Sequence, residues 1–252
     1  MINRFNVPVL FFNAAAGGSS VGNWSRSAEG LASNNVYIGM QYAGNPNFPY
    51  AYLQKSLNYY GSLFGIRAVL WHQGETDTEK NHNEDPNDNT AAAEYRDSLQ
   101  YVISRSRNHS NKTLLPWVVA RASLLSVVDP VIISGQDMTI NSGNKIFAGP
   151  NTDNIQVPRP DMIHLENVGG GTQGISEMAS AWNTSLDNTF FANATPYAAN
   201  PLPTLTLGCS GGNYSITAPD GYQYAWVSGN NDISTAFSTD RTINVSPGGG
   251  TY

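Results

Sequence analysis

Four short apolar runs, at residues 7–14, 66–71, 116–120 and 145–148, recur through the first three quarters of this chain with longer amphipathic stretches between them. That alternation constrains the fold more than any other feature. Strands separated by helical stretches cannot pair as hairpins, and they predict a parallel sheet with helices packed on both faces. The spacing predicts helices over 21–32, 50–64, 90–107, 130–140 and 172–186. In the third of these, Tyr95, Leu99, Val102 and Ile103 share one face, and Thr90 suits an N-cap. Ligands bind such sheets at the carboxyl ends of the strands, so the turns leaving each strand are where chemistry is sought.

The pattern changes after Ala194. A Pro-rich stretch at 195–203 has no periodicity and reads as a linker. Beyond it come short alternating runs at 204–207, 214–218, 223–227 and 241–245, separated by Gly, Asn, Asp and Pro, which is the pattern of a small all-β sandwich. Trp226 is its expected core aromatic. The expected organisation is therefore an α/β domain over 1–194, a linker over 195–203 and a partial Ig-like β module over 204–252. No signal-peptide anatomy opens the chain, and the closing Gly-Thr-Tyr reads like the start of a further strand. Both ends read as cut, and the expectation is of a longer protein.

Composition excludes several classes. The formal net charge is −6 and only 13% of residues are charged, which removes the basic footprint of a nucleic-acid binder. No apolar run reaches the roughly 18 residues of a membrane span. Cys209 stands alone, so neither an internal disulfide framework nor a Cys-based zinc site is expected. No metal and no cofactor is expected. Low charge with abundant Asn, Ser, Thr and Gly leans toward a secreted bacterial protein.

Three turns carry possible chemistry. In Val69-Leu-Trp-His-Gln-Gly-Glu-Thr-Asp77 a strand runs straight into polar side chains: Gln73 has amide donors, Gly74 permits close backbone approach, and Glu75 and Asp77 accept hydrogen bonds. An ordinary βα turn with capping residues would read the same way. In Arg159-Pro-Asp-Met-Ile-His164, an Asp three residues before a His can accept from Nδ1–H, fix the tautomer and stabilise the imidazolium; the alternative is a solvated turn with an incidental His. In Asn13-Ala-Ala-Ala-Gly-Gly-Ser-Ser20, small residues and a helix start offer amides to an oxyanion, or simply a turn with Ser19 or Ser20 as N-cap.

Taken in order, Ala16-Gly-Gly-Ser-Ser20, Trp71-His-Gln-Gly-Glu-Thr-Asp77 and Asp161-Met-Ile-His164 resemble the SGNH-hydrolase superfamily, in its sialate O-acetylesterase-like and acetyl-xylan-esterase-like branch. The resemblance covers about residues 7–190, while the final segment resembles Ig-like or surface-sorting modules. It implies a three-layer, flavodoxin-like α/β/α domain that removes O-acetyl groups from sugars without a cofactor, in a secreted, cell-surface or periplasmic bacterial protein. Its partner is an acetylated carbohydrate, with contact to secretion or surface machinery through the β module. It makes His164 the general base, Asp161 its orienting partner, Gly18 and Gln73 the oxyanion donors, and Gly17, Gly74 and Glu75 supporting residues. The family's nucleophile is a Ser in a Gly-x-Ser motif on a strand before the Gly-Gly turn. Residues 1–12 hold no such motif, so the first strand is expected to be missing and this chain alone to be inactive, with unpaired strand edges and an uncovered apolar face. Ser19 and Ser20 are weak substitutes.

Other readings compete. A non-catalytic, surface carbohydrate-binding or adhesive protein on a degenerate hydrolase fold would show the same residues, and a lipase of the superfamily is a more remote third. The run 208–212 matches Gly-x-Ser-x-Gly but falls in the β module, with no His after it. Residues 77–89 are rich in oxygen ligands, yet their spacing matches no EF-hand loop. His82 and His109 are expected at the surface. Tyr37, Tyr42, Phe48, Tyr50 and Tyr52 either line a sugar cleft or pack the fold.

Overall fold

The computed structural model describes residues 2–34, 47–82, 89–171, 173–201, 203–220, 224–229 and 233–245. Two units divide the chain, residues 1–199 and 200–252.

The first unit is built on three parallel strands in the order β1 (Val69–Trp71), β2 (Trp117–Arg121) and β3 (Ile146–Asn151). Val69 pairs with Trp117, and Trp117 with Ile146. The middle strand is buried on both faces, as its run of apolar residues requires. Trp117 and Val119 face one core cluster, and Val118 faces another.

Helices cover both faces. On the first lie α2 (Val21–Ala28), the continuous stretch α3 (Tyr50–Lys55), π-turn (Ser56–Tyr60) and α4 (Gly61–Phe64), then α6 (Ala92–His109) and α7 (Pro130–Thr139). They contribute Trp24, Leu57, Tyr95, Leu99, Val102, Ile103 and Ile132 to a core shared with Trp71, Trp117 and Val119. On the second face, α8 (Gly174–Ser185) and α9 (Asn188–Asn193) bring Trp182 and Phe190 against Val118 and Phe147. The short α1 (Ile2–Phe5) is tied to this layer: Arg4 donates to the Leu186 carbonyl at 2.7 Å, and the Phe5 ring lies 4.5 Å from that of Phe191. α5 (Glu75–His82) follows β1 directly.

Local chemistry accounts for the helix starts. Ser20 and Asn23 form a reciprocal capping box on α2. Asp129 accepts from Val131 N–H at 2.8 Å with Pro130 in the first turn of α7. Thr90, expected as an N-cap, is not one: Ala91 occupies that position on α6 without a side-chain bond, and the Thr90 hydroxyl is drawn to Asp77 instead.

The expected strand at 7–14 does not form. Residues 8–16 have no regular structure, and Leu10 and Phe11 are about two-thirds exposed. Phe12 stacks on Tyr60 at 4.6 Å, so the segment rests on helix side chains rather than in a sheet. A strand exists only where a neighbour completes its ladder, and among the described residues β1 pairs with β2 alone. The parallel sheet accordingly has three described strands, one fewer than the sequence predicts.

The second unit contains an antiparallel sheet of β4 (Thr206–Ser210), β5 (Asn213–Thr217) and β6 (Thr242–Val245). Trp226 packs with Ala218 and Ile243, and its indole donates to the Asp240 carbonyl at 2.7 Å. The run expected at 223–227 makes only an isolated bridge, Trp226 to Ser238, and residue 223 lies outside the described residues. The run 208–212 is the end of β4 and a turn, with Cys209 exposed.

Candidate active site

Gly17 and Gly18 turn the chain into α2. Gly18 sits at φ 67°, the left-handed region where only glycine is unstrained, and its amide makes no hydrogen bond among the described residues. Ser19 and Ser20 are both 3% exposed. The Ser19 hydroxyl donates to the Ala16 carbonyl at 2.6 Å and accepts from the Trp24 indole at 2.9 Å, while Ser20 caps α2. Both hydroxyls hold the turn.

The turn after β1 is locked to this one through a buried polar network. The Gln73 carboxamide donates both its hydrogens, to the Ser19 carbonyl at 3.0 Å and to Asp77 Oδ2 at 2.6 Å. It therefore meets an oxyanion only by releasing one of them. Tyr95 hydroxyl lies 2.7 Å from the Gln73 carbonyl, which Gln136 also reaches at 3.0 Å. Gln136 is fully buried and binds both the amide and the carbonyl of Ala122 at the end of β2. Gly74 is required by close approach: a Cβ there would lie 1.9 Å from the Ala122 carbonyl oxygen.

Asp77 is 0% exposed. Its Oδ2 accepts from Val21 N–H at 3.0 Å as well as from Gln73, and its Oδ1 accepts from the Thr90 hydroxyl at 3.1 Å. Burial pushes its carboxyl up to about 6, against the hydrogen bonds and Lys80, which favour the charge.

Asp161 and His164 form the expected pair. Asp161 Oδ2 lies 2.5 Å from His164 Nδ1, and Oδ1 accepts from the amides of Ile163 at 2.9 Å and His164 at 2.7 Å. The bond to the His164 ring, then those backbone bonds, hold the Asp161 acid well below the usual carboxylate range. The two side chains are 52% and 75% exposed. No hydroxyl meets His164 Nε2 among the described residues.

Arg159 anchors this loop. Its guanidinium donates to the carbonyls of Ile155 at 2.9 Å, Thr152 at 3.2 Å and Ile163. Burial disfavours its charge, which Asp153, Glu75 and Asp161 support in that order. One cation thus gathers the loop, the end of β3 and Glu75. His72 Nε2 lies 3.1 Å from the Thr152 hydroxyl and 3.9 Å from Glu75.

The structure therefore brings Gly17, Gly18, Gln73, Gly74 and Glu75 together around the ends of β1 and β2, and Asp161 with His164 on a loop beyond β3. Asp77, Tyr95, Gln136 and Arg159 were not singled out as site residues from sequence. Asp77 lay in view inside the polar turn, and Arg159 beside Asp161, but Gln136 is a helix residue with no local signal. Tyr50 is 1% exposed and lies 3.0 Å from His109, so it packs the fold; Tyr52 sits edge-on to Phe48 at 4.5 Å. Tyr37 and Tyr42 lie outside the described residues, as do 83–88 of the oxygen-rich stretch. Among the described residues no group of three or more His, Cys, Asp or Glu is placed to hold a metal ion, and no helix is long and apolar enough to cross a membrane.

A family model described as carbohydrate esterase, sialic acid-specific acetylesterase, matches residues 2–175. No curated protein and no solved structure matches.

Proposed function

Since this chain belongs to the sialic acid-specific acetylesterase family of carbohydrate esterases, we propose that its first unit carries the site of a serine acetylesterase acting on O-acetylated sugars. The observation that carries the reading is the Asp161/His164 pair at 2.5 Å. Asp161 holds the imidazole through Nδ1, which leaves Nε2 facing outward to take a proton from a nucleophile and return it to the leaving sugar hydroxyl. The free Gly18 amide is the standing oxyanion donor. Gln73 becomes the second when its carboxamide lets go of the Ser19 carbonyl.

The nucleophile is the unfilled role. Ser19 and Ser20 are buried and committed, and Ser123 is bonded to Asp153 at 2.7 Å. We place the attacking serine on a further strand seated against the open edge of β1, between it and residues 7–13, in an SGNH-type sheet. That strand would cover Leu10 and Phe11. The acyl-enzyme then loses acetate to water. In this reading the protein is secreted, with an Ig-like module over 204–252 that spaces it or displays it at a surface.

The test is acetate release from acetylated xylan and from O-acetylated sialic acid. The coding sequence read in frame upstream of Met1 should supply a strand ending in Gly-x-Ser, and the longer product should hydrolyse one of these esters while the 252-residue chain does not. His164-dependent hydrolysis by the 252-residue chain, or none by the longer product, contradicts the reading. A second reading, non-catalytic glycan binding, is favoured by the finding that no hydroxyl meets His164 Nε2 among the described residues, and predicts binding without acetate release from either form.

A further inference from the structure

We infer that Asp77 is a positioning residue of the oxyanion site, its carboxylate joining the first amide of α2 to the carboxamide of Gln73 and so setting how the turn 17–20 presents the Gly18 amide. This rests on the oxyanion role proposed above for Gly18.

The geometry is specific. One oxygen, Oδ2, accepts from Val21 N–H at 3.0 Å and from Gln73 Nε2 at 2.6 Å. The same Gln73 nitrogen holds the Ser19 carbonyl at 3.0 Å. Asp77 is therefore tied to the turn 17–20 by two routes: through Gln73 to the Ser19 carbonyl, and directly through the Val21 amide at the start of α2. Structure alone would not call for an acid here. A buried carboxylate is costly, and an apolar residue or an amide could fill the same volume. What a carboxylate adds is an acceptor strong enough to hold two donors at one oxygen, which fixes the carboxamide against the turn.

The surroundings make this group able to change state. Lys80 on its own helix and the Tyr95 phenol on α6 are the titratable groups that act on it, and Thr90 contributes a hydroxyl. From α2 it meets a backbone amide. With burial holding its acid at about 6, the carboxylate is protonated under mildly acidic conditions. A neutral acid is a weaker acceptor than a carboxylate, so the holds on Val21 N–H and on Gln73 weaken, and the Gln73 carboxamide and the Gly17-Gly18 turn loosen together.

The test uses the labelled 252-residue chain and needs no turnover. Proton–nitrogen spectra between pH 4.5 and 8 should show the Val21 and Gly18 amides and the Gln73 carboxamide moving with one common midpoint near 6. In Asp77→Asn that common transition should vanish. In Thr90→Val, which removes a donor to the other carboxylate oxygen, the midpoint should rise. A Gly18 amide that ignores the transition, a transition that survives Asp77→Asn, or a midpoint unmoved in Thr90→Val overturns the inference. If Asp77→Asn fails to fold, the wild-type spectra and Thr90→Val decide alone. Failure of the esterase reading would appear separately, as no acetate release from the longer product.

Discussion

At the scale of single residues, the candidate site divides into an exposed pair, Asp161 and His164, which does the proton work in the proposed mechanism, and a buried set that holds backbone in place. If the proposed mechanism holds, Asp161→Asn should lower acetate release by the active protein about 10⁴-fold and His164→Ala by at least as much, with binding of the sugar little changed in a comparison of KM and kcat. Gly74→Ala should destabilise the first unit by about 3 kcal/mol, read from urea denaturation, because its methyl would overlap the Ala122 carbonyl. Asp77 sets a sign for pH. Its acid is raised to about 6 by burial, so the folded chain holds that proton more tightly than the unfolded chain. This contribution makes the fold more stable as pH falls from 7 toward the ordinary carboxylate value, and Asp77→Asn should remove that gain in urea midpoints compared at pH 7 and pH 5. Asp161 acts the other way and lower down: its depressed acid means that the order of its loop is lost as pH falls below the ordinary carboxylate value. Of these residues, the Asp161/His164 contact was readable as a possibility from spacing, since a three-residue offset in a turn lets a carboxylate reach the ring, while the choice between that pair and a solvated turn came from the family resemblance. Gln136 was not, because nothing in a helix sequence says which distant backbone its amide will meet.

At the scale of elements, the alternation of apolar runs and amphipathic stretches predicted three strands of the parallel sheet and five helical stretches within a few residues of their ends, but not the short helices α1, α5 and α9. Where it failed, the cause was tertiary. Thr90 is a good cap by type, but its hydroxyl stabilises a buried carboxylate instead. Residues 7–13 have strand composition and no strand partner among the described residues, so composition did not become structure. The loop bearing His164 is an element of its own, held by Arg159 through the carbonyls of Thr152, Ile155 and Ile163. Arg159→Ala should therefore speed hydrogen exchange at the Ile163 and His164 amides by at least tenfold while leaving β2 protected. Arg159→Lys should not restore protection, since an ammonium lacks the planar fork that meets separate carbonyls.

At the scale of the whole molecule, among the described residues β1 pairs on one side only, with β2, and Leu10, Phe11, Tyr59 and Phe64 are exposed; in the proposed reading a further strand covers this apolar surface. The 252-residue chain should bind a hydrophobic dye and self-associate with rising concentration, and the longer product should do so less. In the proposed mechanism His164 activates a serine carried on that further strand. A fluorophosphonate that labels activated serines, applied to the longer product and followed by peptide mapping, tests it most directly. One serine, on that added strand, should be labelled in the unaltered protein, and none in His164→Ala. A label on Ser19, Ser20 or any other serine of residues 1–252, or labelling that persists in His164→Ala, would contradict it.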